Sequence, residues 1–183
     1  MKQEKKLAKK YAQAIFEITE GDQKLQETYL SEVKDINTVI KATGEIKEIF
    51  ENPGISKEHK KDLLKKIFTD KINEQIINLL CVLIENQRFN LLLAIQDCLL
   101  ELINKQKGIL VAEIYSTQEL DSLVVSKIVE TLQHKTLTQG VKEIKINQKI
   151  DTSLIGGLKV KINDLVYDGS IRGKLENLKR RLG

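Results

Sequence analysis

The chain has 183 residues, of which 41% are hydrophobic, 31% charged and 4% aromatic, with a formal net charge of +4 and no tryptophan. That length can bury a real core in one large or two small domains, and the apolar fraction excludes a disordered chain. Residues 1–105 carry 17 Lys or Arg against 17 Asp or Glu, so that half lacks the basic face and stacking rings of a nucleic-acid binder.

From the N-terminus, Leu7, Tyr11, Ala14, Ile15 and Ile18 recur at three- and four-residue steps and predict a helix over 5–19. The basic start, MKQEKKLAKK, has no apolar signal core and runs straight into this helix, so it reads as mature sequence. Gly21-Asp22 breaks the pattern. A second helix runs through Tyr29, Leu30, Val33, Ile36, Val39 and Ile40 to Thr43-Gly44, and a short third, 45–51, stops before Pro53, the single proline. Ser56 caps a fourth, with Leu63, Leu64, Ile67 and Phe68 inward. The fifth, 73–86, is apolar around most of its circumference, as a central bundle helix must be. The sixth, 90–107, ends at Gly108.

After Gly108 the period changes. Residues 109–115 and 141–146 read as strands around a helix over 123–137, and 158–162 and 165–167 as two more strands about a turn at Asn163-Asp164. A basic helix over 171–182 closes the chain. The expected fold class is therefore α+β, mostly α: an N-terminal six-helix bundle (1–105), then a small mixed α/β C-terminal domain (109–183) ending in a helix.

Reactive chemistry is sparse. Gly173-Lys174 suggests the end of a phosphate-binding loop, but Asp168 stands where the first glycine is needed and Leu175 where a Ser or Thr must follow. His59 and His134 have no partners at metal or triad spacing. Cys81 and Cys98 lie in apolar helical runs, as buried thiols of a reducing compartment do. The longest apolar runs, 76–84 and 91–95, are too short to span a bilayer, so any membrane role is from outside it. No catalytic residue, metal or cofactor is expected.

Two segments suit adhesion instead. Tyr11, Ala14 and Ile15 form a stripe that is either core or, with small Ala8, Ala12 and Ala14 beside Tyr11 and Phe16, a groove for a foreign amphipathic helix. At the other end, Gly156-Gly157 makes a turn or close approach, Asp168 and Ser170 can cap the last helix, and Leu175, Leu178 and Leu182 give it an apolar seam rimmed by Arg and Lys.

These segments also carry a resemblance. Tyr11-Ala12-Gln13-Ala14-Ile15-Phe16, Asn52-Pro53-Gly54-Ile55-Ser56 and Glu85-Asn86-Gln87-Arg88 are followed in order by the most specific stretch. There Ile144, Ile146, Ile150, Asp151, Leu154, Gly156, Gly157, Leu158, Val160, Lys161 and Asn163 precede Asp168-x-Ser170-x-Arg172 and Leu175. Over its full length the chain resembles the delta subunit of F-type ATP synthases, the family of the mitochondrial oligomycin-sensitivity-conferring protein. Thr152 stands where that family often has proline, and Ser116–Leu120 lacks its usual Ala and Pro.

The resemblance implies a non-catalytic stator subunit. Its N-terminal domain would hold N-terminal helices of the alpha subunits on the catalytic head, through Tyr11, Ala14 and Ile15 with Leu79 and Leu83. Its C-terminal domain would hold b-type peripheral-stalk helices, with Asp151, Gly156, Gly157, Asp168, Ser170, Arg172 and Leu175 mainly defining the fold. The expected location is peripheral, on the cytoplasmic face of a bacterial inner membrane or the stromal face of a plastid thylakoid, without membrane insertion or nucleic acid. A helical nucleic-acid-binding bundle and a generic coiled-coil adaptor are the competing readings. The first conflicts with the neutral half, and the second has no need of a strand-rich end with a double glycine.

Overall fold

A computed structural model describes residues 2–135, 141–162 and 165–182. The chain divides into two compact units, Met1–Ile103 and Asn104–Gly183.

The first unit is helical. Helix α1 (Lys2–Ile18) turns Ala8, Ala12 and Ile15 inward, one helical face at four- and three-residue steps. It stops where Glu20 and Gly21 take positive φ, and Asp22 restarts the chain by accepting the Lys24 and Leu25 amides at 2.9 and 3.2 Å. In α2 (Gln23–Ala42) Tyr29, Val33, Ile36 and Ile40 are buried. Helix α3 (Gly44–Glu51) puts Phe50 against Phe89, stacked at 4.5 Å between ring centres. Ser56 caps α4 (Lys57–Phe68) through the His59 amide at 3.2 Å. Helix α5 (Glu74–Glu85) buries Ile76, Leu80 and Leu83 completely. A 3₁₀ turn, Phe89–Leu91, leads into α6 (Leu92–Lys107), whose Leu92, Ile95, Leu99 and Ile103 complete the core. Gly108, at φ +72°, ends it.

The second unit is a four-stranded sheet in the order β2-β1-β3-β4. Strand β1 (Ile109–Ser116) alternates, with Leu110, Ala112, Ile114 and Ser116 buried. Helix α7 (Ser122–Lys135) lies in the crossover to β2 (Glu143–Ile150), which pairs parallel with β1 from Ile109↔Glu143 to Ser116↔Ile150. A 3₁₀ turn, Thr152–Leu154, precedes β3 (Leu158–Ile162), antiparallel to β1 on its other side, and β4 (Leu165–Asp168) adds antiparallel to β3. Helix α8 (Ile171–Leu182) rests against the Thr152–Leu154 turn. The core here is small: Leu110, Ala112, Leu132 and Ile162, with Ile128, Val141, Ile144 and Val160 packed on it.

Most elements fall where periodicity puts them. The strand expected over 141–146 instead runs Glu143–Ile150, because its pairing with β1 continues for eight residues and outweighs its charged composition. The turn at Asn163-Asp164 and the end of the helix expected to reach Leu137 lie outside the described residues.

Candidate functional site

The C-terminal motif is a set of backbone contacts between the β3 approach and the start of α8. The Gly169 amide donates to the Leu158 carbonyl at 2.9 Å, and the Ile171 amide to the Gly156 carbonyl at 3.0 Å. Gly157 has φ +81°, and a Cβ there would meet the Gly169 carbonyl oxygen at 2.7 Å. A Cβ at Gly156 would meet the end of the Ile171 side chain at 2.9 Å. The double glycine therefore serves both a turn and a close approach.

Ser170 is almost fully buried and caps α8, accepting the Gly173 amide at 3.0 Å. Its hydroxyl and amide both donate to Asp168 Oδ1, at 2.6 and 2.9 Å, which holds the Asp168 carboxyl below its ordinary pKa. Asp151 caps the Thr152–Leu154 turn by accepting the Ser153 amide at 3.0 Å. Arg172 is exposed and pairs along its own helix with Glu176 at 3.0 Å.

What α8 does not do is bury its apolar side. Ile171, Leu175 and Leu178, at i, i+4 and i+7, are each about half exposed. Every residue of β4 is exposed as well, Leu165, Val166 and Tyr167 included. Ile155 projects at 67% exposure with φ +66°, a backbone state that a β-branched residue rarely adopts. Arg172, Lys174, Lys179 and Arg180 are exposed along α8.

In the first unit, Tyr11, Ile15, Leu79 and Leu83 belong to one hydrophobic cluster, and Ala14 lies outside it. Ile15, Leu79 and Leu83 are core side chains at 4%, 8% and 0% exposure, so no partner can reach them without opening the bundle. Ala8 and Ala12 also face their own bundle, at 0%. The surface begins one step around the helix. Ala14 and Ile18 are exposed, and Tyr11 is half-buried with its hydroxyl accepting from Arg88 Nη1 at 3.3 Å. Leu7, Tyr11, Ala14 and Ile18 thus form an apolar stripe beside the buried one. Exposed Val82 on α5 is a further apolar residue that helical periodicity could not separate from its buried neighbours.

Among the described residues, no three or more His, Cys, Asp or Glu are grouped as metal ligands, and both cysteines are free. Burial pushes the Cys98 thiol pKa up, which makes it less reactive. No helix of the described residues is long and apolar enough to cross a membrane.

Residues 7–182 match the family model described as the ATP synthase delta (OSCP) subunit. The chain belongs to that family. It is 34% identical over 176 residues to ATP synthase subunit delta of Bacillus cereus strain B4264, covering 96% of this chain and 95% of that one. The subunits from Bacillus thuringiensis strain Al Hakam and Bacillus anthracis strain CDC 684 match with the same identity and coverage. A chain in the cryo-EM structure of the Toxoplasma gondii mitochondrial ATP synthase hexamer shares the fold, with TM-score 0.70, 22% identity, and coverage of 96% and 97%. As a delta (OSCP) subunit, the chain is a non-catalytic stator component of an ATP synthase.

Proposed function

We propose that the two units of this delta (OSCP) subunit join the catalytic head to the peripheral stalk, so that the head does not turn with the rotor. The first unit takes an N-terminal helix of an alpha subunit along Leu7, Tyr11, Ala14 and Ile18, with Val82 as a further contact. The second takes b-type stalk helices on the apolar side of α8 and β4, where the flanking Arg and Lys residues favour an acidic partner. The protein then sits peripherally, and its bacterial relatives favour the cytoplasmic face of a bacterial membrane over a thylakoid.

The observation that carries this reading is that each unit turns part of an apolar helix side to solvent: Ala14 and Ile18 of α1 are exposed beside Leu7 and Tyr11, which pack partly on the core, and Ile171, Leu175 and Leu178 of α8 are about half exposed. Such sides suit amphipathic helices, which bind through anchors at i, i+3/i+4 and i+7. A torque-bearing joint needs tight binding. Nanomolar affinity corresponds to about −12 kcal/mol, within the range of well-packed protein interfaces.

Titration calorimetry of the full chain against a synthetic N-terminal peptide of the cognate alpha subunit tests the head contact. Saturable binding with a negative heat-capacity change is expected, the mark of apolar burial. A folded chain that takes up no peptide would remove the first-unit half of the reading.

A further inference from the structure

Arg88 borders the docking stripe on α1 and is held there by backbone. Past the end of α5, Gln87 takes φ +56°, its amide donates to the Ile84 carbonyl at 3.1 Å, and the Arg88 amide donates to the Leu83 carbonyl at 2.8 Å. This closure of the last turn fixes where the Arg88 side chain departs. The residue is half-buried, and its Nη1 donates to the Tyr11 hydroxyl at 3.3 Å. A guanidinium carries five N–H donors in a rigid fork that matches a carboxylate. Tyr11, a neutral phenol, takes one of them, and among the described residues no carboxylate takes another. The remaining donors are left to solvent in the free chain.

Along α1 the charge changes sign. Residues 2–10 hold five lysines against one glutamate, and residues 11–18 hold one glutamate and no lysine. Lys6 and Lys10 share a row of the helix with Ala14 and Ile18, at four-residue steps, and both are exposed, as are Glu17 and Glu20 at the far end. Tyr11 therefore lies at the basic end of the apolar stripe, with Arg88, and Ile18 at the acidic end. Charges bordering an apolar contact set its register and reject wrong partners more than they add raw affinity. A docked helix meets attraction for its acids beside Tyr11 and repulsion beside Ile18.

We propose that Arg88 determines specificity at this docking site by taking a carboxylate of the partner helix. The Asp or Glu that supplies it lies one helical turn from the apolar residue covering Tyr11. Lys6 and Lys10 add to the field that draws acid to this end. The assignment rests on the reading of α1 as the seat of an alpha-subunit helix, and adds to it the charge that helix carries and the end that carries it. Docking excludes water from the half-buried fork, so the pair is stronger than one on an open surface.

Calorimetry of the full chain against the synthetic N-terminal peptide of the cognate alpha subunit tests this when each Asp and Glu of the peptide is replaced in turn by Asn or Gln. One replacement is expected to weaken binding about fivefold or more, the loss of a charge-assisted contact. Against Arg88→Gln the same replacement should cost nothing further, a coupling that the double-mutant cycle reads directly. Tyr11→Phe removes the phenol and keeps the guanidinium, so the coupling should persist in it. A peptide that binds with no acid-sensitive position, or losses that simply add in Arg88→Gln, overturns the role of Arg88 and leaves the docking stripe standing. No binding by the folded parent chain overturns both. If Arg88→Gln does not fold, Arg88→Lys decides, since it keeps the charge and loses the fork. It should weaken the peptide that retains the acid more than the neutral one, and an equal loss with both overturns the proposal.

Discussion

Gly157 and Gly169 approach so closely that a single methyl group on Gly157 would stand 2.7 Å from the Gly169 carbonyl oxygen. The obstacle is backbone on both sides, held by the Gly169–Leu158 and Ile171–Gly156 hydrogen bonds, so neither partner can yield cheaply. The double glycine is in this way the place where α8 is attached to the sheet.

Gly157→Ala combines that clash with a positive φ, and should cost the second unit about 2–4 kcal/mol. Hydrogen-exchange mass spectrometry resolves it: faster exchange is expected in peptides of β3 and α8, with α1 to α5 unchanged. Uniformly faster exchange over the whole chain would contradict the independence of the two units.

Leu83→Ala and Ala14→Asp should behave in opposite ways. The first empties a fully buried site and should cost about 2–5 kcal/mol in chemical denaturation. The second alters an exposed helix position, should cost less than about 1 kcal/mol, and should abolish the calorimetric signal with the alpha-subunit peptide. Early melting of Ala14→Asp would place Ala14 in the core and remove the docking stripe.

Leu175→Asp places a carboxylate in the exposed apolar side of α8. Binding of a b-type stalk peptide should fall about tenfold or more through lost apolar contact and repulsion by an acidic partner, while the melting temperature holds. Unchanged affinity would move the stalk site off α8.

Glu113 predicts an acid sensitivity in the second unit. The Lys149 ammonium at 2.6 Å lowers its carboxyl pKa most, and the Tyr115 hydroxyl at 3.0 Å and Lys161 at 3.4 Å lower it further, to about 2. A folded pKa below the unfolded one gives stability that is complete above the ordinary value of 4.5 and is lost as pH falls towards 2. The cluster is largely open to water, so the loss is on the order of 1 kcal/mol. Urea midpoints between pH 6 and 3 should fall less in Glu113→Gln than in the parent chain, and parallel curves would refute the assignment.

The helices were legible because their breaks are chemical: Asp22 and Ser56 supply side-chain caps, and Gly108 supplies a positive φ. The close packing of Gly156-Gly157 on the start of α8 could be anticipated only as one of two uses of a glycine pair. Which edge of the α1 stripe faces inward was not legible. Ile15 and Ala14 are adjacent members of one helical pattern, and only packing against the other helices buries the first and leaves the second. The burial of Lys60 on the inward side of α4 was hidden for the opposite reason. In KEHKKDLLKK a lysine reads as solvated surface, and its place on the inward stripe emerges only from the rotation of α4 about its axis.

Helix α6 runs through Gly108 directly into β1, and among the described residues β1 is paired over all eight residues on one side and over five on the other. A pull directed along β1 would enter the sheet through its best-held strand. Ladder hydrogen bonds lie across that axis, so they are loaded together in shear and not peeled open one by one. A stator component gains from such an arrangement: a pull along that strand is met by many bonds sharing it at once.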